Sequence, residues 1–423
     1  MQSLWLSFTF AGAVLLTVAL KFWLATRQMR HVAAHRHAVP AAFAATVSLA
    51  AHQKAADYTL VRSRFGLVTL AFGTAVLLLW TLLGGLDALN AALRDAVQPR
   101  WGGMAYQLSL LMVFVLIGGL LDAPLELYNT FRIEQRFGFN RTTLRLYLID
   151  AAKGLVVGVL IGLPMAALVL WIMASAGAWW WLWAWLAWVA FQLLILVIYP
   201  TVIAPLFNKF EPLPDESLKQ RVQALMARCG FAAKGLFVMD GSRRSAHSNA
   251  YFTGLGAAKR VVFFDTLLQR LTPGEVEAVL AHELGHFKLR HVPKRMLTIF
   301  AMSLAALALL GWLMQQPWFY TGLGVSPNLA APNDALALLL FMLALPPFGF
   351  LLVPLASRVS RRHEFEADAY ACRQASGRDL ANALLKLQED NAGTLTPDPL
   401  YVTFYYSHPP ASERLAALTM APA

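Results

Sequence analysis

Seven stretches of about 20 mostly apolar residues recur along this chain, and that length is what a helix needs to cross the hydrocarbon core of a bilayer. They run at about 4–24, 66–86, 107–121, 154–173, 179–199, 296–314 and 335–356. Within lipid the backbone must satisfy its own hydrogen bonds, so such stretches are read as helices. Composition agrees: of 423 residues 58% are hydrophobic and 14% charged, against roughly 25% charged in an ordinary soluble domain. The chain is therefore expected to use a bilayer as part of its solvent.

The formal charge of +11 invites a nucleic-acid reading, but its distribution points elsewhere. Arg27, Arg30, Arg36, Lys54, Arg62 and Arg64 follow the first apolar stretch, and Arg132, Arg136, Arg141, Arg145 and Lys153 follow the third. The segments after the fifth and seventh are basic too. The alternate connections hold only Arg94 and Arg100, or no basic residue at all. This alternation predicts an outer N-terminus and a cytoplasmic C-terminus, and leaves anionic lipid, not nucleic acid, as the partner of the positive charge. The first stretch has its charges behind it, not ahead, so it is expected to persist as a helix and not to act as a cleaved signal. Cys229 and Cys372 lack any paired spacing and are read as inert thiols.

Between the fifth and sixth stretches the character becomes that of an ordinary globular segment. LKQRVQALMARCG has helical periodicity and ends at Gly230. GLFVMD, SNAYFTGLG and KRVVFFD are short, branched or aromatic, and bounded by turn residues, which predicts a small antiparallel sheet. The domain reading is five membrane helices over 1–200, a cytoplasmic globular segment over 201–295, two further membrane helices over 296–356, and a helical segment over 357–423.

Residues 279–291 read VLAHELGHFKLRH. Residues four apart share one face of a helix, so His282 and His286 can reach a single zinc, and Glu283 beside them can take a proton from the water it activates. Thr272, Pro273 and Glu275 predict a well-capped start to that helix. His291 lies five residues past His286, off the face, and is expected to be solvated. A catalytic zinc takes three protein ligands. SRRHEFEADAYA, which begins at Ser360, offers Glu364 as the third, with Glu366 and His363 as alternatives. Asp368, one turn beyond Glu364, would hold the ring N–H of His282. In YYSHPPASERL, His408 is fixed by two prolines and could donate to an oxyanion. Arg414 could support the same charge or hold the fold.

These motifs, together with YPTVIAPLFNKFEPL and SAHSNAYFTGL, resemble the integral-membrane zinc metalloproteases of the CAAX prenyl protease 1 family, in order and in spacing. FRIEQRFGFNRTT keeps that family's glycine-phenylalanine-asparagine core but not the usual charges before it. The resemblance implies a mainly α, polytopic membrane protein with seven helices around a large chamber and one zinc at its cytoplasmic end. It implies His282, His286 and Glu364 as ligands, Glu283 as base, and His408 as transition-state donor. Asn249 would bind substrate backbone, and the strand containing Ala250 and Tyr251 would pin an extended peptide.

The expected reaction is peptide hydrolysis, with a peptide or protein substrate that is membrane-associated or lipid-modified. No oligomer is implied. Residue usage rich in alanine, leucine and arginine suggests a bacterial inner membrane in place of the endoplasmic reticulum. A heat-shock-type quality-control protease is the nearest alternative. A transporter or receptor with a degenerate metal site is the alternative from another class.

Overall fold

The structure, a computed structural model, describes residues 1–232, 235–253 and 259–420. Among them, seven helices are long and apolar enough to cross a membrane. The first five elements are α1 (Gln2–His35), α2 (Leu49–Trp80), α3 (Gly85–Tyr128), α4 (Leu144–Ser175) and α5 (Trp180–Ile198). Most outrun the apolar stretches that announce them. At about 1.5 Å per residue the 34 residues of α1 measure about 50 Å, well beyond a hydrocarbon core of about 30 Å. Its charged end therefore stands clear of lipid. The stretch expected at 66–86 ends earlier, at Trp80, because the chain breaks at Thr81 and turns through Gly84 in the left-handed region (φ 77°). The short third stretch belongs to a much longer helix, kinked at Gly102 (φ 81°).

The globular segment folds as β1 (Phe210–Pro212), α6 (Glu216–Arg228), β2 (Leu236–Met239), β3 (Ala250–Thr253), β4 (Arg260–Phe264) and α7 (Pro273–Lys288). The last residues of the expected strand SNAYFTGLG lie outside the described residues. The sheet order is β1-β2-β4-β3. Pairs β1–β2 and β3–β4 are antiparallel, as expected, but the central β2–β4 pair is parallel. The antiparallel expectation fails there for a topological reason: the β3–β4 hairpin slides its second strand, not its first, alongside β2. β3 is left as an edge strand.

The chain then re-enters the apolar layer as α8 (His291–Leu313) and α9 (Asp334–Gly349), continues through one tight turn into α10 (Val353–Gln374), and finishes with α11 (Gly377–Asp390), α12 (Pro399–Tyr405) and α13 (Ala411–Met420). One apolar core joins the membrane helices at a single end of the bundle, including Phe10, Trp80, Leu86, Leu170, Trp180, Leu310 and Leu336. A second lies beneath α7 and contains Val222, Leu225, Phe263, Leu280 and Leu284. Below the first core the helices part around a cavity of about 750 Å³, bordered by α1, α2 and the tyrosines Tyr401, Tyr405 and Tyr406.

The segment around Gly138 ties the membrane half to the globular half. Gly138 turns the chain in the left-handed region (φ 82°), which brings Asn140 into a bridge with Ser245. The carbonyl of Phe139 accepts from Ala246 N–H at 3.0 Å. Arg244 grips the Asp150 carboxylate of α4 at 2.8 and 3.1 Å. The glycine-phenylalanine-asparagine core is thus a joint between halves.

Candidate metal centre

α7 starts where its sequence says it should. Thr272 Oγ1 accepts from Glu275 N–H, Glu275 returns a bond to Thr272 N–H at 2.7 Å, and Pro273 occupies the first turn. The helix is buried over most of its length and packs along α10. Gly285 makes that packing tight. A Cβ there would sit 3.0 Å from Ala367 Cα and 3.1 Å from its carbonyl oxygen, so the residue just before His286 lets two backbones touch.

This contact brings Glu364 of α10 against the two imidazoles of α7. His282 Nε2 and His286 Nε2 lie 3.2 Å apart. Glu364 Oε2 is 3.5 Å from the first and Glu364 Oε1 is 3.4 Å from the second. Ligands of a tetrahedral zinc at 2.0–2.1 Å stand about 3.3 Å from one another. The three side chains therefore already hold the separations that such an ion requires. Glu364 Oε2 is buried without a hydrogen-bond partner, and Arg414 Nη1 stands 3.7 Å from it, so the oxygen keeps capacity to bind an ion. Two imidazoles and one carboxylate are also the donor set of a hydrolytic zinc. The residues fit the ion.

The surroundings favour positive charge at this point. Asp368 Oδ1 lies 2.8 Å from His282 Nδ1 and so leaves Nε2 facing the pocket. Burial works against a charge on His282, but the bonds to Asp368 and Glu364 outweigh it and hold the imidazole up at about 9. Arg414 clamps Asp368 through both oxygens, with Nε at 2.8 Å, and its Nη1 stands 3.7 Å from Glu364 Oε2. His408 Nε2 approaches Glu364 Oε1 at 3.5 Å, while its exposed ring borders open space.

Glu283 is partly buried on α7, next to His282 in sequence. Asn249 is exposed; its side-chain oxygen accepts from Ala250 N–H at 2.8 Å, and its backbone carbonyl accepts from Phe264. Ala250 and Tyr251 lie in β3, whose outer edge carries no strand among the described residues.

Glu366 and His363 are turned away from the three. Glu366 pairs with Arg362 and with His291, and His363 stacks on His291 with ring centroids 4.0 Å apart. The solvated reading of His291 is therefore corrected: it is buried, with contacts to His286 and Glu366. Helical extrapolation misplaces it because α7 stops at Lys288 and Arg290 takes a left-handed conformation (φ 57°), folding His291 back under the site. A glycine at 290 would have flagged the turn; an arginine gave no signal.

Comparison with known proteins places this geometry. Residues 28–209 match the region described as CAAX prenyl protease N-terminal, five membrane helices, and residues 212–421 match peptidase family M48. The CAAX prenyl protease 1 homolog of Arabidopsis thaliana is 34% identical over 416 residues, covering 97% of this chain and 96% of that protein. The chain belongs to the CAAX prenyl protease 1 family. CAAX prenyl protease 1 of Saccharomyces cerevisiae is likewise 34% identical, over 86% of this chain and 85% of its own. The crystal structure of S. mikatae Ste24p superposes with a TM-score of 0.91 at 30% identity, covering 98% of both chains. The chain is a multi-pass membrane zinc metallopeptidase of this family, acting on peptide or protein substrate.

Proposed function

We propose that His282, His286 and Glu364 hold the catalytic zinc, that Glu283 is the general base, and that His408 donates to the oxyanion. The observation carrying this reading is the convergence of three side chains on one pocket, with donor atoms 3.2–3.5 Å apart and a buried carboxylate oxygen that makes no hydrogen bond. The ion supplies Lewis acidity and an activated water. The chain's residues do the rest. Glu283 accepts the proton of the attacking water and returns it to the leaving amine. His408, anchored before Pro409 and Pro410, offers an N–H to the oxygen on which charge develops. Asp368 and Arg414 keep His282 oriented. The free edge of β3, with Asn249, Ala250 and Tyr251, takes an extended peptide as an added strand, a mode that selects conformation ahead of sequence.

Lipid-modified CAAX-type peptides are the proposed substrates, since the relatives named above are CAAX prenyl proteases and apolar tails concentrate such peptides in the bilayer. The alternation of lysine and arginine supports a site on the cytoplasmic side with the N-terminus outside, and residue usage supports a bacterial inner membrane.

The test compares wild type with Glu283→Gln, measuring bound zinc and cleavage of a farnesylated peptide against its unlipidated counterpart. Zinc retained in both, with cleavage lost in the variant, is expected. Equal cleavage by the two proteins would refute the base assignment, and indifference to the farnesyl group would refute the substrate class.

A further inference from the structure

His291 is a buried polar side chain beside the site that the reaction above leaves unused. Its Nδ1 lies 3.0 Å from His286 Nδ1, and its Nε2 lies 3.1 Å from Glu366 Oε2. Glu366 Oε1 in turn accepts from Arg362 Nε at 2.9 Å. A contact between two ring nitrogens at hydrogen-bond distance needs one proton between them. If His286 offers Nε2 to the metal, its Nδ1 carries that proton. His291 Nδ1 must then be the bare acceptor, its own proton sits on Nε2, and that proton faces Glu366. With His286 Nε2 given to the metal, this arrangement of protons satisfies both links of His291.

His282 has the same support by a shorter route, through Asp368 and Arg414. Each imidazole of the pocket is thus backed by an arginine-held carboxylate, directly for His282 and through an intervening imidazole for His286. His363, parallel to His291 within 8°, covers the exposed side of that imidazole. His291, His363 and Glu366 also lie close enough together to suggest an ion site of their own. Parallel stacked rings, however, aim their in-plane lone pairs side by side and not at one point, so the geometry disfavours it.

We propose that His291 is a positioning residue: it fixes the ring orientation and proton placement of His286, and so sets metal affinity, with Glu366 as the far end of the chain. This rests on His286 being a zinc ligand. The experiment measures zinc dissociation by chelator competition, and the visible absorption of the cobalt-loaded protein, on the purified full chain. The variants are His291→Phe, His291→Asn, Glu366→Gln, His363→Ala and His286→Ala.

Phenylalanine fills the ring's space without an acceptor, and zinc should bind about tenfold more weakly, in keeping with the loss of an outer hydrogen bond to a ligand. Asparagine places an oxygen near the lost Nδ1 and should restore most of that affinity and the wild-type cobalt spectrum. Glu366→Gln, on a half-exposed side chain, should give a smaller loss without changing the melting temperature of the chelated protein, and tests the chain even if His291→Phe fails to fold. Zinc affinity unchanged in all three, or as weak in asparagine as in phenylalanine, would overturn the proposal. So would a second bound zinc that His363→Ala removes. Full affinity in His286→Ala would instead bring down the ligand assignment beneath it.

Discussion

Gly285→Ala is the most revealing single-atom change the structure offers. The new Cβ would stand 3.0 Å from Ala367 Cα, 3.1 Å from Ala367 O and 3.2 Å from Tyr370 Cβ. Carbon atoms prefer separations of about 3.5–4.0 Å. The two nearest atoms are backbone and cannot rotate away, so α7 and α10 must part by about half an ångström. Overpacking of this kind costs about 1–3 kcal/mol. Replacing glycine by alanine within a helix returns about 1 kcal/mol. The net loss of stability is therefore only about 0–2 kcal/mol. The metal is affected more. Glu364 lies one turn before Ala367 on the same helix, so the separation carries its carboxylate away from both imidazoles. Zinc sites hold their distances to about 0.2 Å, less than half the displacement. Zinc affinity should drop by about tenfold, the lower end of the cost of disturbing a ligand's support. Chelator competition measures the second quantity and thermal unfolding of the chelated protein the first. A variant more stable than wild type with unchanged zinc affinity would refute the idea that this close helix contact sets the site.

Two further substitutions probe the same centre. Arg414→Ala strands the buried Asp368 carboxylate and should destabilise the protein by about 3–5 kcal/mol, seen as a lowered melting temperature; an unchanged melt would mean the pair is not structural. His408→Ala removes a donor from an exposed ring that anchors no core, so zinc content and KM should hold while kcat falls by about 10²–10³; a loss of zinc in its place would make His408 part of the metal's support.

What could be read from the sequence was whatever is decided locally. The spacing of His282 and His286, the cap at Thr272, the halt of α6 at Gly230 and the number of membrane helices each depend on a few neighbouring residues and are found as expected, although the bounds of most membrane helices are not. The approach of Glu364 and Asp368 to the imidazoles was legible for a related reason: the two carboxylates share a face by helical spacing alone, and that face meets His282 and His286. What escaped were relations between segments. β2 and β4 pair in parallel because of a crossover that no strand's own residues encode. Gly285 reads as a weak helix former until the backbone of Ala367 is known to lie against it.

His291 shows where the boundary falls. Its placement depends on one residue, Arg290, adopting a left-handed conformation that an arginine gains nothing by adopting in isolation. Such a conformation persists when the surroundings over-determine it. Here they do: Leu289 and Arg290 still bond back to the last turn of α7, while α8 must leave toward the apolar layer, and His291 is pinned between His286, Glu366 and His363. The turn that ends the helix of His282 and His286 is therefore also the turn that begins a membrane helix. The position of His286 is consequently coupled to how α8 sits in the bundle. A site that looks like a soluble motif attached to a membrane protein is held from both sides by membrane helices, α8 through His291 and the α9–α10 run through Glu364.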